Sequence, residues 1–298
     1  MSKQVFQTPT AQQVDDHLTR HEPRGPSRLL AWLPLTALAV ALALSFVIRH
    51  PVMLMLPWLA LAGTVGFMSL RVRSLRHVEG QVIQAQELAM LRHHAPALQL
   101  TWQLIPSACR WPVTHGRLVA FMGHCLDQLK AYDAAIVTYD YLIDQLPRHH
   151  PGAVQLLIQR AIAQLQTDQL ADADDTIRGL RGMTEAIRHT ATGAAYRLAQ
   201  LLQLVRTNHF AEAAETSASL LEDLRPLGVE AAYGHALMAL SYHHLTDPDA
   251  RSRADLWWSR ATLLMPAPAL VDRFAELNAI FQAAGAAGAR SRGGGSHE

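Results

Sequence analysis

Two long uncharged runs near the N-terminus constrain the fold of this chain more than any other feature. Residues 29–48 and residues 52–70 contain no charged side chain, and only residues 49–51 separate them. As helices rising about 1.5 Å per residue, both runs are long enough to cross a hydrocarbon core of roughly 30 Å. The sequence therefore predicts an N-terminal transmembrane helical hairpin over residues 29–70.

Positive charges around the two runs predict the orientation of the hairpin, because Lys and Arg residues near membrane spans are retained in the cytoplasm. Only Arg49 lies in the turn. The outer flanks carry Lys3, Arg20, Arg24, Arg28, Arg71, Arg73 and Arg76. We therefore expect both termini and the repeat domain in the cytoplasm. The Ala-, Leu- and Arg-rich composition suggests a bacterial inner membrane. A cleaved signal peptide is the alternative interpretation, although its charged region would be unusually long.

Composition predicts that the rest of the chain is helical. Hydrophobic residues make up 50% of the 298-residue chain, but aromatic residues make up only 6%, and alanine and leucine dominate. This mixture favours helices over strands, so we expect an all-α protein. The roughly 230 residues after the hairpin suffice for one domain or a repeat array. The formal net charge of +1 gives no general attraction for nucleic acid, which we exclude as a partner.

A recurring pattern of small residues begins near residue 117. Within residues 116–149, Gly123 lies twelve positions before Ala135. Tyr132 lies three positions before Ala135, Tyr139 four positions after it and Pro147 twelve positions after it. The positions that carry the pattern are Met122, Gly123, Tyr132, Ala135, Tyr139 and Pro147. The segment resembles a tetratricopeptide repeat (TPR), a family in which small residues let two helices pack closely and a proline ends the unit.

Three further units resemble the TPR pattern less closely. Ala173, Ala213 and Ala254 mark their second helices, at successive intervals of 38, 40 and 41 residues counted from Ala135. The resemblance covers roughly residues 117–266 and implies a TPR-like α-solenoid, in which each helix pair buries one face against its neighbours. An ordinary helical bundle is the alternative architecture.

The pattern gives a domain plan for the whole chain. We expect a flexible cytoplasmic tail (1–28), the transmembrane hairpin (29–48 and 52–70), membrane-proximal helices (71–115), a TPR-like domain with a C-terminal capping helix (116–283) and a disordered tail (284–298). Residues 78–106 are expected either to cap the repeats or to form a degenerate first repeat. Residues 270–281 are apolar on one helical face, which is typical of a capping helix.

The TPR resemblance also implies where a partner would bind. In that family the first helix of each pair lines a concave surface, which suits a protein or peptide partner. Carried over to this sequence, the partner-binding residues are His124, Asp127, Gln128, Gln155, Gln166, Arg206, Tyr233, His243 and His244. Ordinary solvated surface is the alternative interpretation of these polar positions.

Motifs of catalysis and of metal or cofactor binding were not found in the sequence. It contains no HExxH, P-loop, GxSxG or GxGxxG motif, and Cys109 and Cys125 lie sixteen residues apart, outside zinc-ligand spacing. We therefore predict no catalytic residue, metal or cofactor, and no small-molecule substrate. The predicted function is a membrane-anchored scaffold that recruits a protein or peptide. Alternatives are an integral-membrane assembly subunit whose hairpin docks onto another membrane protein, and an enzyme with an unrecognised site.

Overall fold

The computed structural model describes residues 7–23, 36, 39–40, 56–146, 150–184, 187, 189–278 and 280–282. All regular secondary structure in these residues is helical, which confirms the predicted all-α class. Most of the first apolar run and all of the predicted C-terminal tail lie outside the described residues. The chain divides into two compact units, Met1–Gln145 and Leu146–Glu298.

The first unit contains five described helices of four residues or more. They are α1 (Ala11–Arg20), α2 (Leu56–Met90), α3 (His94–Ala108), α4 (Pro112–Gln128) and α5 (Tyr132–Gln145). Consecutive helices from α2 to α5 pack on each other, and α1 packs along α5. Residues 11–20 lie inside the stretch predicted as a flexible tail. There they form a helix with a capping box between Thr10 and Gln13, and with Val14 and Leu18 fully buried.

The second unit begins with α6 (Pro151–Gln166), α7 (Leu170–Thr184) and α8 (Ala191–Arg206). It continues through α9 (Phe210–Glu215), α10 (Ser217–Leu224) and a 3₁₀ segment (Arg225–Glu230). It ends with α11 (Ala231–His243), α12 (Ala250–Leu264), α13 (Ala267–Arg273) and a 3₁₀ turn (Ala275–Leu277). Helix α8 packs on α6, α7 and α11, and α11 packs on α12 and α13. The first helices of three successive pairs, α6, α8 and α11, are thus in contact in sequence order.

The same turn closes four helix pairs. In each pair, the second residue after the end of the first helix adopts a left-handed conformation, with φ between 59° and 62°. These residues are Arg92, Lys130, Asp168 and Asn208. The amide of the next residue then donates to the carbonyl five residues earlier. The bonds are His93 to Leu88, Ala131 to Leu126, Gln169 to Gln164 and His209 to Leu204. This Schellman turn satisfies carbonyls that the helix end leaves open. Its intervals of 38, 38 and 40 residues define a structural repeat.

The packing of small residues follows these turns. The residue five positions after each turn residue is a fully buried alanine, at Ala97, Ala135, Ala173 and Ala213. Twelve positions earlier, Ala85 and Ala161 are also fully buried, and Gly123 lies against the ring of Tyr139. Ala85 and Ala97 share this register. Residues 78–106, for which the sequence leaves a cap and a degenerate first repeat as alternatives, therefore have the same spacing of small residues as the later pairs.

Helix α2 changes character along its length. It runs unbroken for 35 residues, about 52 Å, through the point where the sequence predicts the end of the second membrane span. Val78, Val82 and Ala85, in its second half, are buried against the unit. The first half exposes large apolar side chains in every direction: Trp58, Leu59, Leu61, Val65, Phe67, Met68, Leu70 and Val72. Among the described residues, no helix combines the length and hydropathy needed to cross a membrane.

Residues 270–281 do not form the single capping helix that their periodicity predicts. Helix α13 ends before Phe274, whose backbone is extended (φ −130°, ψ 100°), and a 3₁₀ turn follows. The change of direction buries Phe274 and brings Glu276 to 2.9 Å from the guanidinium of Arg206. The break in the helix is therefore accompanied by burial of the Phe274 ring and by the ion pair between Glu276 and Arg206.

Candidate functional site

The predicted partner-binding residues of the first unit lie on the last turns of α4. His124 is exposed, but the side chain of Asp127 is buried and that of Gln128 is half-buried. The ring of His94 at the start of α3 lies edge-on to His124, with centroids 6.2 Å apart. Burial, followed by the positive charge of His124, lowers the pKa of His94. Only His124 of this group therefore presents a largely accessible side chain.

Two of the predicted residues of the second unit are joined in one hydrogen-bond network. Arg206 donates from Nη2 to Oε1 of Gln166 at 2.9 Å and from Nη1 to Oδ1 of Asp168 at 3.2 Å. Its Nε lies 2.9 Å from a carboxylate oxygen of Glu276. The guanidinium thus ties the end of α8 to the α6–α7 turn and to the C-terminal 3₁₀ turn. Arg206 therefore makes its described contacts within the unit.

The remaining predicted residues are in separate environments. Gln155 on α6 is half-buried, and Tyr233 on α11 packs edge-on against the ring of Phe274, with centroids 5.4 Å apart. His243 and His244, at the end of α11, are exposed. The ring of His244 is stacked on Phe210 of α9 at 4.2 Å. Burial, followed by the charge of His243, lowers the pKa of His244.

A groove of about 750 Å³ lies on the second unit, between α7 and α9 and over α8. We call it the α7–α9 groove. No residue of the predicted partner-binding set lines it. Its lining includes Leu170, Asp174, Ile177, Arg178, Arg181, Tyr196, Arg197, Gln200, Gln203, Leu204, His209 and Glu212. The groove was not predicted, because the TPR resemblance points only to the first helices of the pairs, whereas second helices form both of its walls.

Hydrogen bonds hold the polar wall of the α7–α9 groove in place. Asp174 on α7 accepts from Nη2 of Arg178, and its other oxygen accepts from Nε2 of Gln203 on α8 at 2.7 Å. Arg178 also donates to Oδ1 of Asp175 at 3.3 Å, yet its side chain remains 66% exposed. Since a guanidinium has five N–H donors, Arg178 can still bind a further acceptor in the groove.

The floor of the groove is a second connected set of side chains. The hydroxyl of Tyr196 donates to the carbonyl of Ile177 at 3.2 Å and accepts from Nε2 of Gln200 at 3.1 Å. Arg197 donates to Oε1 of Gln200 at 3.0 Å, and its Nε lies 3.9 Å from the buried carboxylate of Asp223. Arg178, Arg181 and Arg197 belong to the lining, and Arg178 keeps most of its side chain exposed. This wall of the groove therefore suits a partner that places a carboxylate beside Arg178.

In the first unit, α1 contacts both α3 and α5. It packs along α5, and its His17 ring is stacked on Trp102 of α3 with centroids 3.9 Å apart. The thiol of Cys109, just after α3, donates to the carbonyl of His21 at 2.9 Å. Burial, followed by the charge of His21, lowers the pKa of His17 to about 4. Helix α1 is therefore held in this position by both apolar and polar contacts.

The thiol of Cys125 on α4 is buried. Burial raises the pKa of the Cys125 thiol to about 12, so that it remains protonated and unreactive at neutral pH. Within the described part of the chain, no three His, Cys, Asp or Glu side chains come together as a metal site.

Comparison with known proteins gives no further assignment. No family model, curated protein or solved structure matches this chain.

Proposed function

We propose that this protein is a membrane-anchored scaffold that recruits a protein or peptide partner through TPR-like helix pairs. In this proposal residues 29–70 form a transmembrane hairpin, with both termini in the cytoplasm. The helix pairs stack as a solenoid at the membrane surface. Anchoring raises the effective concentration of a bound partner near membrane proteins.

One observation supports the proposed membrane anchor. Helix α2 exposes apolar side chains all around residues 58–72, and Trp58 and Leu59 are each 69% exposed. Soluble proteins seldom expose a continuous apolar surface of this kind, which instead marks contact with lipid or another protein. The same helix continues directly into the packed part of the first unit. The apolar run of the sequence before residue 56 completes the length that a bilayer requires.

The scaffold part of the proposal is supported by the recurring helix pairs. Four pairs share one turn and one buried alanine position at intervals of 38, 38 and 40 residues. Arrays of such pairs present extended surfaces made by many helices, which is how repeat proteins bind peptides and helices. The exposed His124, His243 and His244 and the α7–α9 groove are the surfaces offered to a partner.

Two measurements test this function. The full-length chain should remain in the membrane pellet after a carbonate wash, and release of the intact chain would contradict the anchor. A photo-crosslinking amino acid in place of His124 or Gln200 should capture a defined membrane-proximal protein. The same amino acid at the exposed Asp255 should not. Equal capture from all three positions would contradict recruitment by the repeat surface.

A second function is favoured by small residues on α2. Ala62 and Gly66 lie four residues apart and exposed, and a methyl group added at Gly66 would meet no atom within 4 Å. Such small residues let membrane helices approach closely, so the hairpin itself could dock onto another membrane protein. Replacing residues 29–70 by an unrelated hairpin separates the two functions. Partner capture that survives the replacement supports the scaffold, and capture that is lost supports the assembly subunit.

A further inference from the structure

The repeat gives the two units a common register. Counted from the left-handed turn residue, Trp102 lies ten positions after Arg92, and Arg178 lies ten positions after Asp168. Trp102 is the residue on which α1 stacks in the first unit, and Arg178 lines the α7–α9 groove in the second. The surface that α1 covers in the first unit therefore corresponds to the groove of the second unit.

The first helices of the two units differ at the equivalent positions. In the first unit, α4 places Leu118, Met122 and Cys125 at twelve, eight and five positions before its turn residue, and all three are fully buried. The equivalent residues of α8 are Tyr196, Gln200 and Gln203, which line the open groove. Buried apolar residues of the first unit thus correspond to hydrogen-bonded polar residues on the floor of the groove.

We propose that the α7–α9 groove binds a short amphipathic helix of a partner protein, in the way that α1 binds the first unit. The apolar stripe of that helix, equivalent to Val14 and Leu18 of α1, would lie on Leu170, Ile177 and Leu204. This inference rests on the proposed scaffold function and gives it a binding site and a ligand class.

The charge of the groove defines the partner further. In α1 a neutral imidazole stacks on an indole, but the equivalent position of the groove presents the guanidinium of Arg178. Arg181 and Arg197 lie in the same lining as Asp174 and Glu212, and Arg197 faces the buried carboxylate of Asp223. The 66% exposed side chain of Arg178 is therefore the charge that a partner would meet first. A carboxylate at the position of His17 would reach the open donors of Arg178 in a charge-assisted hydrogen bond. The bound helix is therefore acidic beside its apolar stripe.

Two peptides built on α1 test the proposal. Both comprise residues 9–22 with a fluorophore, one with His17→Glu and the other with His17→Lys. They are titrated at pH 8 against the full-length chain in nanodiscs, with fluorescence anisotropy as readout. The His17→Glu peptide should bind at least about fivefold more tightly than the His17→Lys peptide. The glutamate gains a partly exposed ion pair with Arg178, whereas the lysine is repelled by it.

Reversing the charge of Arg178 in the full-length chain tests whether this side chain sets the preference. Arg178→Glu should reverse the preference to the His17→Lys peptide, and Arg178→Gln should abolish it if the reversed variant does not fold. Arg251→Glu, on the exposed side of α12, is the matched control and should leave the preference unchanged. No preference in the unaltered chain, or one that Arg178→Glu leaves intact, would overturn the proposal.

Two further outcomes keep this proposal separate from the others. If the native α1 peptide binds as tightly as the His17→Glu peptide, the occupant is α1 of a second copy and the acidic partner is overturned. If Arg178→Glu reverses the peptide preference but leaves crosslinking from His124 unchanged, the scaffold function does not use the groove, and the proposal that it binds the recruited partner is overturned. Release of the chain by carbonate leaves peptide binding measurable, so failure of the anchor is distinguishable.

Discussion

The imidazole of His17 on α1 lies nearly parallel to the indole of Trp102 on α3, with centroids 3.9 Å apart and planes inclined by 14°. Nε2 of His17 also lies 3.2 Å from the backbone carbonyl of Trp102. These contacts connect α1 to a helix that follows it by more than seventy residues in the sequence. Docking of α1 therefore depends on a single half-buried imidazole as well as on Val14 and Leu18.

Docking of α1 should weaken in mild acid. The pKa of His17 is lowered to about 4 in the folded chain from an ordinary value of 6.5. The unfolded or undocked state therefore binds a proton more readily, and the stability present above pH 6.5 is lost as the pH falls towards 4. The loss should be about 1–3 kcal/mol, read as faster hydrogen exchange of α1 amides.

The neighbours of His17 make a matched comparison necessary. His21, which follows α1, Arg20 on α1 and His115 on α4 all act to lower its pKa, and His115 is itself buried with a lowered pKa. His17→Gln removes one titrating group and leaves the others. The acid-dependent part of α1 exchange should shrink in this variant. An unchanged pH profile would assign the effect to His115 instead.

Gly123 should be the least replaceable glycine of α4. A methyl group at this position would lie 2.7 Å from Cε1 of Tyr139 and 3.2 Å from Cγ2 of Thr138. Gly123→Ala should destabilise the chain by about 1–3 kcal/mol, because α4 and α5 must move apart. Gly116→Ala, in the same helix with no atom within 4 Å, should be neutral or stabilising by up to about 1 kcal/mol. Denaturant unfolding in detergent measures both.

The left-handed turn residues should be sites of stabilisation. Arg92 adopts φ 62° without being a glycine, which is unfavourable for an L-residue. Arg92→Gly should therefore stabilise the chain by about 0.5–1 kcal/mol. Asn208→Gly should gain less, since asparagine tolerates this conformation better. Arg92→Ala is the control, and a gain from alanine equal to that from glycine would count against the conformational explanation.

Arg206 should contribute to stability through geometry as well as charge. It donates hydrogen bonds to Gln166 and Asp168 and forms an ion pair with Glu276, with its side chain only 17% exposed. Arg206→Met should cost about 1–3 kcal/mol in unfolding free energy, and Arg206→Lys should not restore it, because an ammonium cannot reproduce the guanidinium fork. A double-mutant cycle with Glu276→Gln isolates the ion pair. Additive effects would show that the two side chains are not coupled.

Much of the helical organisation is encoded locally, and the alanine spacing shows why. Ala135 and Ala173 each lie twelve residues after a small residue, and close packing of two helices requires small side chains at both places. The same signal is present at Ala85 and Ala97, in the segment for which the sequence leaves a cap and a degenerate first repeat as alternatives. Both alternatives stay open because Thr101 and Cys109 stand where the unit at 116–149 has Tyr139 and Pro147.

Contacts between distant segments could not be predicted in the same way. The capping box at Thr10 and Gln13 indicates that α1 is a helix, but nothing local says that His17 will meet Trp102. Likewise, the helical spacing of residues 270–281 is compatible with one helix. The break at Phe274 depends on burial of its ring beside Tyr233, which only the folded chain determines.

The unbroken course of α2 has a mechanical consequence. No proline, bulge or turn interrupts residues 58–90. The segment therefore acts as a stiff rod between its exposed apolar half and the packed helices of the first unit. Any change in rod length is also a rotation, by about 100° for every residue added. Two alanines inserted after Leu75 would swing the first unit to the far side of the rod, whereas seven would lengthen it with almost no net turn.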